Sequence, residues 1–202
     1  MLISSKILNG INGIVKIPGD KSISHRSVII PSIANGITEV NNILMSDDVL
    51  RTINAFKSMG VKIEENHNSL LIHGKGLWSL TKPKNKINLG NSGTSARLLT
   101  GLLSVQNFES SLIGDHSLSK RPMDRIITPL NIMGASIDSY DDKLPIVIKG
   151  KKLQGFKYEL DIPSAQVKSG IALAALFIDD QTEIIEKYVT RNHTENLLKL
   201  FN

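Results

Sequence analysis

The sequence predicts an α/β fold of the α+β type, in which repeated βαβαββ units pack around an approximate threefold axis. A chain of 202 residues that is 41% hydrophobic and 21% charged is long and apolar enough to build a folded core. Three Gly/Ser-rich turns each carry a cation, and the cations Arg26, Arg97 and Lys168 are separated by 71 residues in both intervals. The same order of apolar helix, strand and amphipathic helix follows each turn. This repetition predicts three copies of one unit.

The first helix of each unit is apolar on most sides, which predicts that it is buried. Helix-ending residues follow each of these segments: Gly36, Asn107 and the pair Asp179 and Asp180. The predicted helices cover residues 27–34, 98–104 and 169–177. We expect all three to lie inside the threefold arrangement.

A short strand and an amphipathic second helix come next in each unit. Strands are predicted at 37–40 and 110–113, and the second helices open at the polar residues Ser46, Lys120 and Thr190. In the first two units the second helix ends in Met-Gly, at 59–60 and 133–134, as expected of a glycine C-cap. Apolar alternation then predicts two hairpins, which pair 61–64 with 70–73 and 136–139 with 145–148.

The unit boundaries are predicted at 18–88, 89–161 and 162–202. Residues 1–17 precede the first unit, and a strand is predicted there at 2–17. In the second unit, Gly134 follows Arg97 by 37 residues. The same spacing counted from Lys168 places the matching glycine of the third unit beyond Asn202. The third unit is therefore expected to be truncated before its closing hairpin. We expect a sheet edge and a helix face to be uncovered there, a surface suited to a partner.

Composition and charge limit the classes of function. A balance of 24 Lys+Arg against 19 Asp+Glu gives a net charge of +5 and favours anionic ligands. The cations are scattered and only 4% of residues are aromatic, which argues against nucleic acid as a partner. The absence of cysteine excludes disulfides, thiolate catalysis and cysteine-ligated zinc. The longest apolar run, 171–178, is too short to cross a bilayer and no signal-like N-terminus is present, so we expect a cytoplasmic protein without a membrane partner.

Lys21, Ser22 and Arg26 lie where the first turn meets its helix. A helix start presents backbone amides and the positive end of the helix dipole to an anion. Lysine and arginine at such a place bind phosphate or carboxylate. A capped helix with solvated charges would explain the same residues, and the GxxxxGK[ST] phosphate loop is not present.

The later turns repeat this chemistry. Gly93, in the turn 91–94, allows a ligand to approach the backbone closely. Arg121 directly precedes Pro122, which is favoured in the first turn of a helix. Further candidates at predicted helix starts are Ser164, Ala165, Gln166 and Arg191. Helix starts that converge on one cleft would make a strong anion site.

Four of these motifs, in order along the chain, resemble the enolpyruvyl transferase family and, within it, the EPSP synthases. They are PGDKSISHR at 18–26, GNSGTSARLL at 90–99, GDHSLSKRPM at 114–123 and PSAQVKSG at 163–170. A fifth segment, TRNHTENLL at 190–198, resembles one branch of this family, with Asn192 where the similar motif usually has Asp. The related branch that acts on UDP-N-acetylglucosamine is not favoured, because its substrate motif and reactive cysteine are missing.

The resemblance implies a transferase of the shikimate pathway to chorismate and the aromatic amino acids. It would move the enolpyruvyl group of phosphoenolpyruvate to the 5-hydroxyl of shikimate 3-phosphate and release phosphate through a tetrahedral intermediate, without a metal or organic cofactor. The implied contacts to shikimate 3-phosphate are Lys21, Ser22, Arg26, Ser164, Ala165, Gln166 and Arg191. The implied contacts to phosphoenolpyruvate are Lys21, Gly93, Arg121 and Gln166. The implied catalytic residues are Lys21, Arg121 and Gln166.

Members of that family are roughly twice as long and consist of two globules of three units each, with the active site between them. The resemblance therefore implies that this chain is the N-terminal half, that residues 1–17 belong partly to the other globule, and that the acid–base groups lie in a missing C-terminal half. Three functions stay open. The chain is half of a split enzyme, a truncated product without catalysis, or a basic α/β domain that binds another anion.

Overall fold

In the computed structural model, which describes residues 13–66 and 69–201, the elements fall into three successive groups. The first group comprises α1 (Lys21–Ile33), β1 (Asn35–Asn41), α2 (Asp47–Ser58), β2 (Lys62–Asn66) and β3 (Ser69–Lys75). The second comprises β4 (Ile87–Asn88), α3 (Gly93–Ser104), β5 (Glu109–Ile113), α4 (Asp124–Ile132), β6 (Ser136–Tyr140) and β7 (Lys143–Lys149). The third comprises β8 (Lys157–Leu160), α5 (Ala165–Ala175), β9 (Glu183–Glu186) and α6 (His193–Leu198).

The sheets confirm the predicted α/β fold with βαβαββ units. In the second group the strand order is β4-β5-β7-β6, in which β4 and β5 are parallel and the other pairs antiparallel. The described residues of the first group show the same arrangement in the order β1-β3-β2, and residues 13–20 contain no opening strand. In the third group β8 pairs in parallel with β9, as β4 does with β5. Both predicted hairpins are present, and each follows a helix-ending glycine, Gly60 or Gly134, with φ of +90° or +97°.

The two ends of the predicted organisation are described only in part. Of the predicted N-terminal strand, residues 2–12 lie outside the described residues, and residues 13–17 form no strand. In the described part of the third group, no hairpin follows α6. The boundaries of the three units therefore stay a prediction.

The first helices α1, α3 and α5 are buried, as predicted, over most of their residues. Each begins four to six residues earlier than predicted, at Lys21, Gly93 and Ala165. The polar residues assigned to turns form the first helical turn instead. Across residues 13–66 and 69–201, no helix has the length and apolar character to cross a membrane.

The structural repeat lies in the N-caps of these helices and not in the cations. Asp20, Ser92 and Ser164 cap α1, α3 and α5 and are 72 residues apart in both intervals. Each side chain accepts a hydrogen bond from the amide three residues later, at 2.8, 3.2 and 3.3 Å. The cations predicted to be equivalent follow their caps by six, five and four residues: Arg26, Arg97 and Lys168. Each is therefore turned by roughly 100° from the one before, and the prediction that they occupy equivalent places is wrong.

Helices α3 and α5 cross in direct backbone contact. A Cβ atom added to Gly101 would lie 2.0 Å from the carbonyl oxygen of Gly170, and one added to Gly170 would lie 2.8 Å from the carbonyl oxygen of Arg97. Both distances are below van der Waals contact, so only glycine fits at the crossing. This crossing brings the two helices close enough for their first turns to meet.

We predict that Gly101→Ala destabilises the chain by about 2–4 kcal/mol, because the added methyl group must separate two packed backbones. Urea unfolding followed by circular dichroism measures the change. The control is Gly13→Ala, where nothing lies within 4 Å of the new Cβ atom, and its effect should stay below about 0.5 kcal/mol. A Gly101→Ala chain as stable as the wild type would contradict the crossing.

Candidate functional site

The first turns of α3 and α5 meet at the side chain of Gln166. Its Nε2 donates to Thr94 Oγ1 at 2.9 Å, and its Oε1 accepts from Arg97 Nη1 at 3.4 Å. Arg97 also donates to the carbonyl oxygens of Gly93 at 3.2 Å and of Pro122 at 3.0 Å. The Arg97 guanidinium thereby joins three of the sequence motifs.

A second guanidinium lies over the same turn. Arg121 donates to Asn91 Oδ1. A Cβ atom on Gly93 would lie 3.2 Å from Arg121 Nη1 and 3.1 Å from Arg97 Nη1. Gly93, Arg121 and Gln166 were predicted from separate motifs, and the structure places them in one cluster around the start of α3.

The first turn of α1 supplies the next group of side chains. The Lys21 ammonium forms a salt bridge with Asp48, in the first turn of α2. Ser22 Oγ accepts from Arg191 Nη1 at 3.3 Å. Lys21 and Arg191 are exposed and Ser22 is half-buried. Two predicted residues from opposite ends of the chain, Ser22 and Arg191, therefore lie in contact.

Ser164 and Ala165 begin α5 and are both half-buried. The Ser164 hydroxyl accepts from the Val167 amide at 3.3 Å and so acts as the helix cap. The amide of Ala165, the first helical residue, has no partner within the helix. This end of α5 therefore offers backbone donors beside Gln166.

Arg26, which the resemblance implies as a contact to shikimate 3-phosphate, does not lie on an exposed surface, because it is only 3% exposed. Its Nε donates to Thr194 Oγ1 at 2.6 Å and its Nη2 to Ser169 Oγ at 2.6 Å. Its Nη1 donates to the carbonyl oxygen of Ser22 at 2.9 Å. Arg26 is thus a buried link among α1, α5 and α6.

The arginines of the site differ from the lysines in their ionic contacts. Within residues 13–66 and 69–201, none of the six arginines forms a salt bridge, although eight lysines do. Burial lowers the pKa of Arg97, and the nearby Arg121 and Arg125 lower it further. Cations that repel one another are stabilised by an anion between them. The cluster is therefore suited to a phosphate or carboxylate group.

A buried polar cluster connects the first three helices. His25 Nδ1 lies 2.7 Å from Thr52 Oγ1, which lies 2.7 Å from Ser95 Oγ. Ser95 Oγ lies 2.6 Å from Ser92 Oγ. His25 Nε2 is buried and has no hydrogen-bond partner within the described residues, and burial is the main cause that lowers the pKa of His25 to about 4. The imidazole is therefore neutral at pH 7.

Two cations and one proline have surroundings that the sequence did not predict. Arg97 was expected only as a repeated cation, although its motif places it one turn after Gly93. Lys168, the third repeated cation, forms salt bridges with Glu186 and Glu195, both at 2.7 Å, and links α5, β9 and α6. Pro122 precedes α4 and is not in its first turn. Asn91 and Thr94 belong to the turn 91–94 that the sequence singled out for Gly93, but they were not predicted as contacts. Asp48 was predicted only as part of the polar start of the second helix.

Comparison with known proteins identifies the family. The sequence profile of EPSP synthase (3-phosphoshikimate 1-carboxyvinyltransferase) matches residues 6–202. This chain belongs to the EPSP synthase family. The 3-phosphoshikimate 1-carboxyvinyltransferases of Vesicomyosocius okutanii and Lactococcus lactis strain IL1403 are 54% and 51% identical to it, over 95% of this chain and 44% and 45% of theirs. The solved EPSP synthase of Acinetobacter baumannii is 47% identical, with a TM-score of 0.91 over 94% of this chain and 44% of its own. The chain thus spans just under half the length of these relatives.

We predict that His25 makes this EPSP synthase family member less stable at mildly acidic pH. The folded pKa of about 4 lies below the ordinary value of 6.5. The unfolded chain therefore takes up the proton first, and the stabilisation present above about pH 6.5 is lost as the pH falls towards 4. Between pH 7 and pH 5 the expected loss of unfolding free energy is about 2 kcal/mol. Urea unfolding at the two pH values measures it.

The variant His25→Gln lacks the titrating group, so its stability should fall by about 2 kcal/mol less than that of the wild type between pH 7 and pH 5. His116 is exposed, and His116→Gln should keep the wild-type dependence. An unchanged pH dependence in His25→Gln would show that the buried imidazole does not control this transition.

Proposed function

We propose that this chain supplies one substrate-binding half of a cytoplasmic 3-phosphoshikimate 1-carboxyvinyltransferase. The complete reaction transfers the enolpyruvyl group of phosphoenolpyruvate to the 5-hydroxyl of shikimate 3-phosphate and releases phosphate. Membership of the EPSP synthase family supports this activity. Because the relatives are about twice as long, the proposal assigns the rest of the active site to a second half, as the partner of this chain.

The observation that carries the proposal is that capped helix starts lie beside arginines that have no carboxylate partner among residues 13–66 and 69–201. The first turns of α1, α3 and α5 provide backbone amides without partners inside their helices. Arg97, Arg121 and Arg191 lie at or beside these turns, and their donors within the described part of the chain go to uncharged groups. Both proposed substrates carry a phosphate and a carboxylate, which match this unsatisfied positive charge.

The two substrates are assigned to neighbouring parts of the site. Shikimate 3-phosphate is assigned to the starts of α1 and α5 and to the segment before α6, through Lys21, Ser22, Ser164, Ala165, Gln166 and Arg191. Phosphoenolpyruvate is assigned to the start of α3, through Lys21, Gly93, Arg121 and Gln166. Arg26 supports the first group from the interior, since its guanidinium holds the carbonyl oxygen of Ser22.

Catalysis by this half consists of positioning and charge stabilisation. Lys21, Arg121 and Gln166 would fix the reacting groups before the 5-hydroxyl adds to phosphoenolpyruvate. The two cations would then stabilise the negative charge of the tetrahedral intermediate and of the departing phosphate. The proposal includes no metal or organic cofactor. Acid–base groups, which contribute about 10²–10⁴-fold in rate, are assigned to the second half.

We predict that the 202-residue chain binds shikimate 3-phosphate and does not turn it over alone. In calorimetric titrations, Lys21→Ala and Arg191→Ala should each weaken binding by about tenfold, as expected for the loss of one charged hydrogen bond. Lys152→Ala, which removes an exposed charge outside the site, is the control and should have no effect.

Phosphate release from phosphoenolpyruvate and shikimate 3-phosphate measures turnover. We expect none from the chain alone and recovery after mixing with a separately expressed second half of a family member. Turnover by the chain alone that Lys21→Ala abolishes would contradict the need for a second half. Equal affinity for inorganic phosphate and shikimate 3-phosphate would instead favour a general anion-binding domain.

A further inference from the structure

One acidic side chain forms a salt bridge inside this cationic site. Within residues 13–66 and 69–201, Asp48 is the only acid whose carboxylate pairs with a proposed substrate-binding residue, Lys21. The adjacent Asp47 is exposed and forms no salt bridge in those ranges. A carboxylate repels the anions that the site is proposed to bind. A favourable contact is therefore expected to offset the presence of Asp48 in this site.

Lys21 is poorly restrained by its own helix. It is the first residue of α1, where the positive end of the helix dipole repels an ammonium group. Its side chain is 51% exposed and flexible. Arg191, which donates to the neighbouring Ser22, brings a second positive charge to the same helical turn. Without a counter-charge, the Lys21 side chain would extend into solvent and away from the other cations.

Asp48 is in contrast held on a rigid element. It lies in the first turn of α2, where the helix dipole favours a carboxylate, and its side chain is only 20% exposed. Its carbonyl oxygen accepts from Thr52 Oγ1 at 3.4 Å. Thr52 lies in the buried polar cluster, 2.7 Å from both His25 Nδ1 and Ser95 Oγ. The turn of α2 that carries Asp48 is thereby fixed relative to α1 and α3.

We propose that Asp48 is a positioning residue for Lys21. In the empty site its carboxylate holds the ammonium at the start of α1, and in the occupied site the ammonium bridges Asp48 and the bound anion. The binding free energy gained by placing Lys21 exceeds the free energy lost to repulsion between Asp48 and the anion. This inference rests on the proposed function, in which Lys21 contacts substrate and Asp48 does not.

Acetylation of Lys21 by acetic anhydride, read by peptide mass spectrometry, tests the pairing without a substrate. Lys21 should react about threefold faster in Asp48→Asn than in the wild type, the size expected for a partly exposed ion pair. Asp47→Asn removes the same charge from the same helical turn and should leave the rate unchanged. Equal rates in the two variants would overturn the pairing.

Calorimetric titration with shikimate 3-phosphate tests the consequence for binding. Asp48→Asn should weaken binding about 3–10-fold while Lys21 is present, and Asp48→Glu should restore part of the loss. In the Lys21→Ala background the same Asp48→Asn change should leave the affinity unchanged or increase it, because only the repulsion is removed. Thermal melting establishes that each variant is folded.

Tighter binding by Asp48→Asn while Lys21 is present would overturn the proposal. Equal weakening with and without Lys21 would also overturn it, because that result indicates a structural role that does not act through the lysine. If the wild-type chain does not bind shikimate 3-phosphate, the proposed function fails, and the acetylation rates alone decide whether Asp48 holds Lys21.

Discussion

The backbone contact between α3 and α5 at Gly101 and Gly170 is the constraint on which the site depends. Because no side chain separates the helices there, their first turns lie close enough for Gln166 to contact both Thr94 and Arg97. If α3 and α5 were farther apart, the side-chain amide of Gln166 would lose both partners. The motifs that form the cluster would then lie apart. The position of a glycine in the core therefore determines the geometry of the polar surface.

The arginines illustrate how burial and hydrogen bonding divide one residue type between two roles. Arg26 is buried, its donors are directed at a carbonyl oxygen and two hydroxyl groups, and it joins three helices. Arg121 and Arg191 are exposed, and their contacts are uncharged, so their charge stays available to a ligand. A motif that contains an arginine thus identifies the family without deciding whether that arginine contacts substrate.

The sequence predicted local features well and long-range contacts poorly. The glycine-ended helices and the hairpins follow from residues close in the chain. The motifs singled out Gly93, Arg121 and Gln166, which the structure places in one cluster. The burial of Arg26 was not predictable, because its partner Thr194 lies 168 residues away. The polar residues just before position 27 were predicted to form a turn, although they begin a buried helix. The equal spacing of the cations led to the wrong prediction that they occupy equivalent places. The residues that repeat in structure are the N-caps.

The central claim is that the first turns of α1, α3 and α5 form one anion site. A titration of the ¹⁵N-labelled chain with shikimate 3-phosphate, followed by ¹H–¹⁵N NMR, tests it most directly. The amides of Ser22, Thr94 and Gln166 should shift together with a single dissociation constant, while the amide of the distant Lys152 stays unchanged. Shifts confined to one helix start, or separate dissociation constants for the three amides, would contradict the claim.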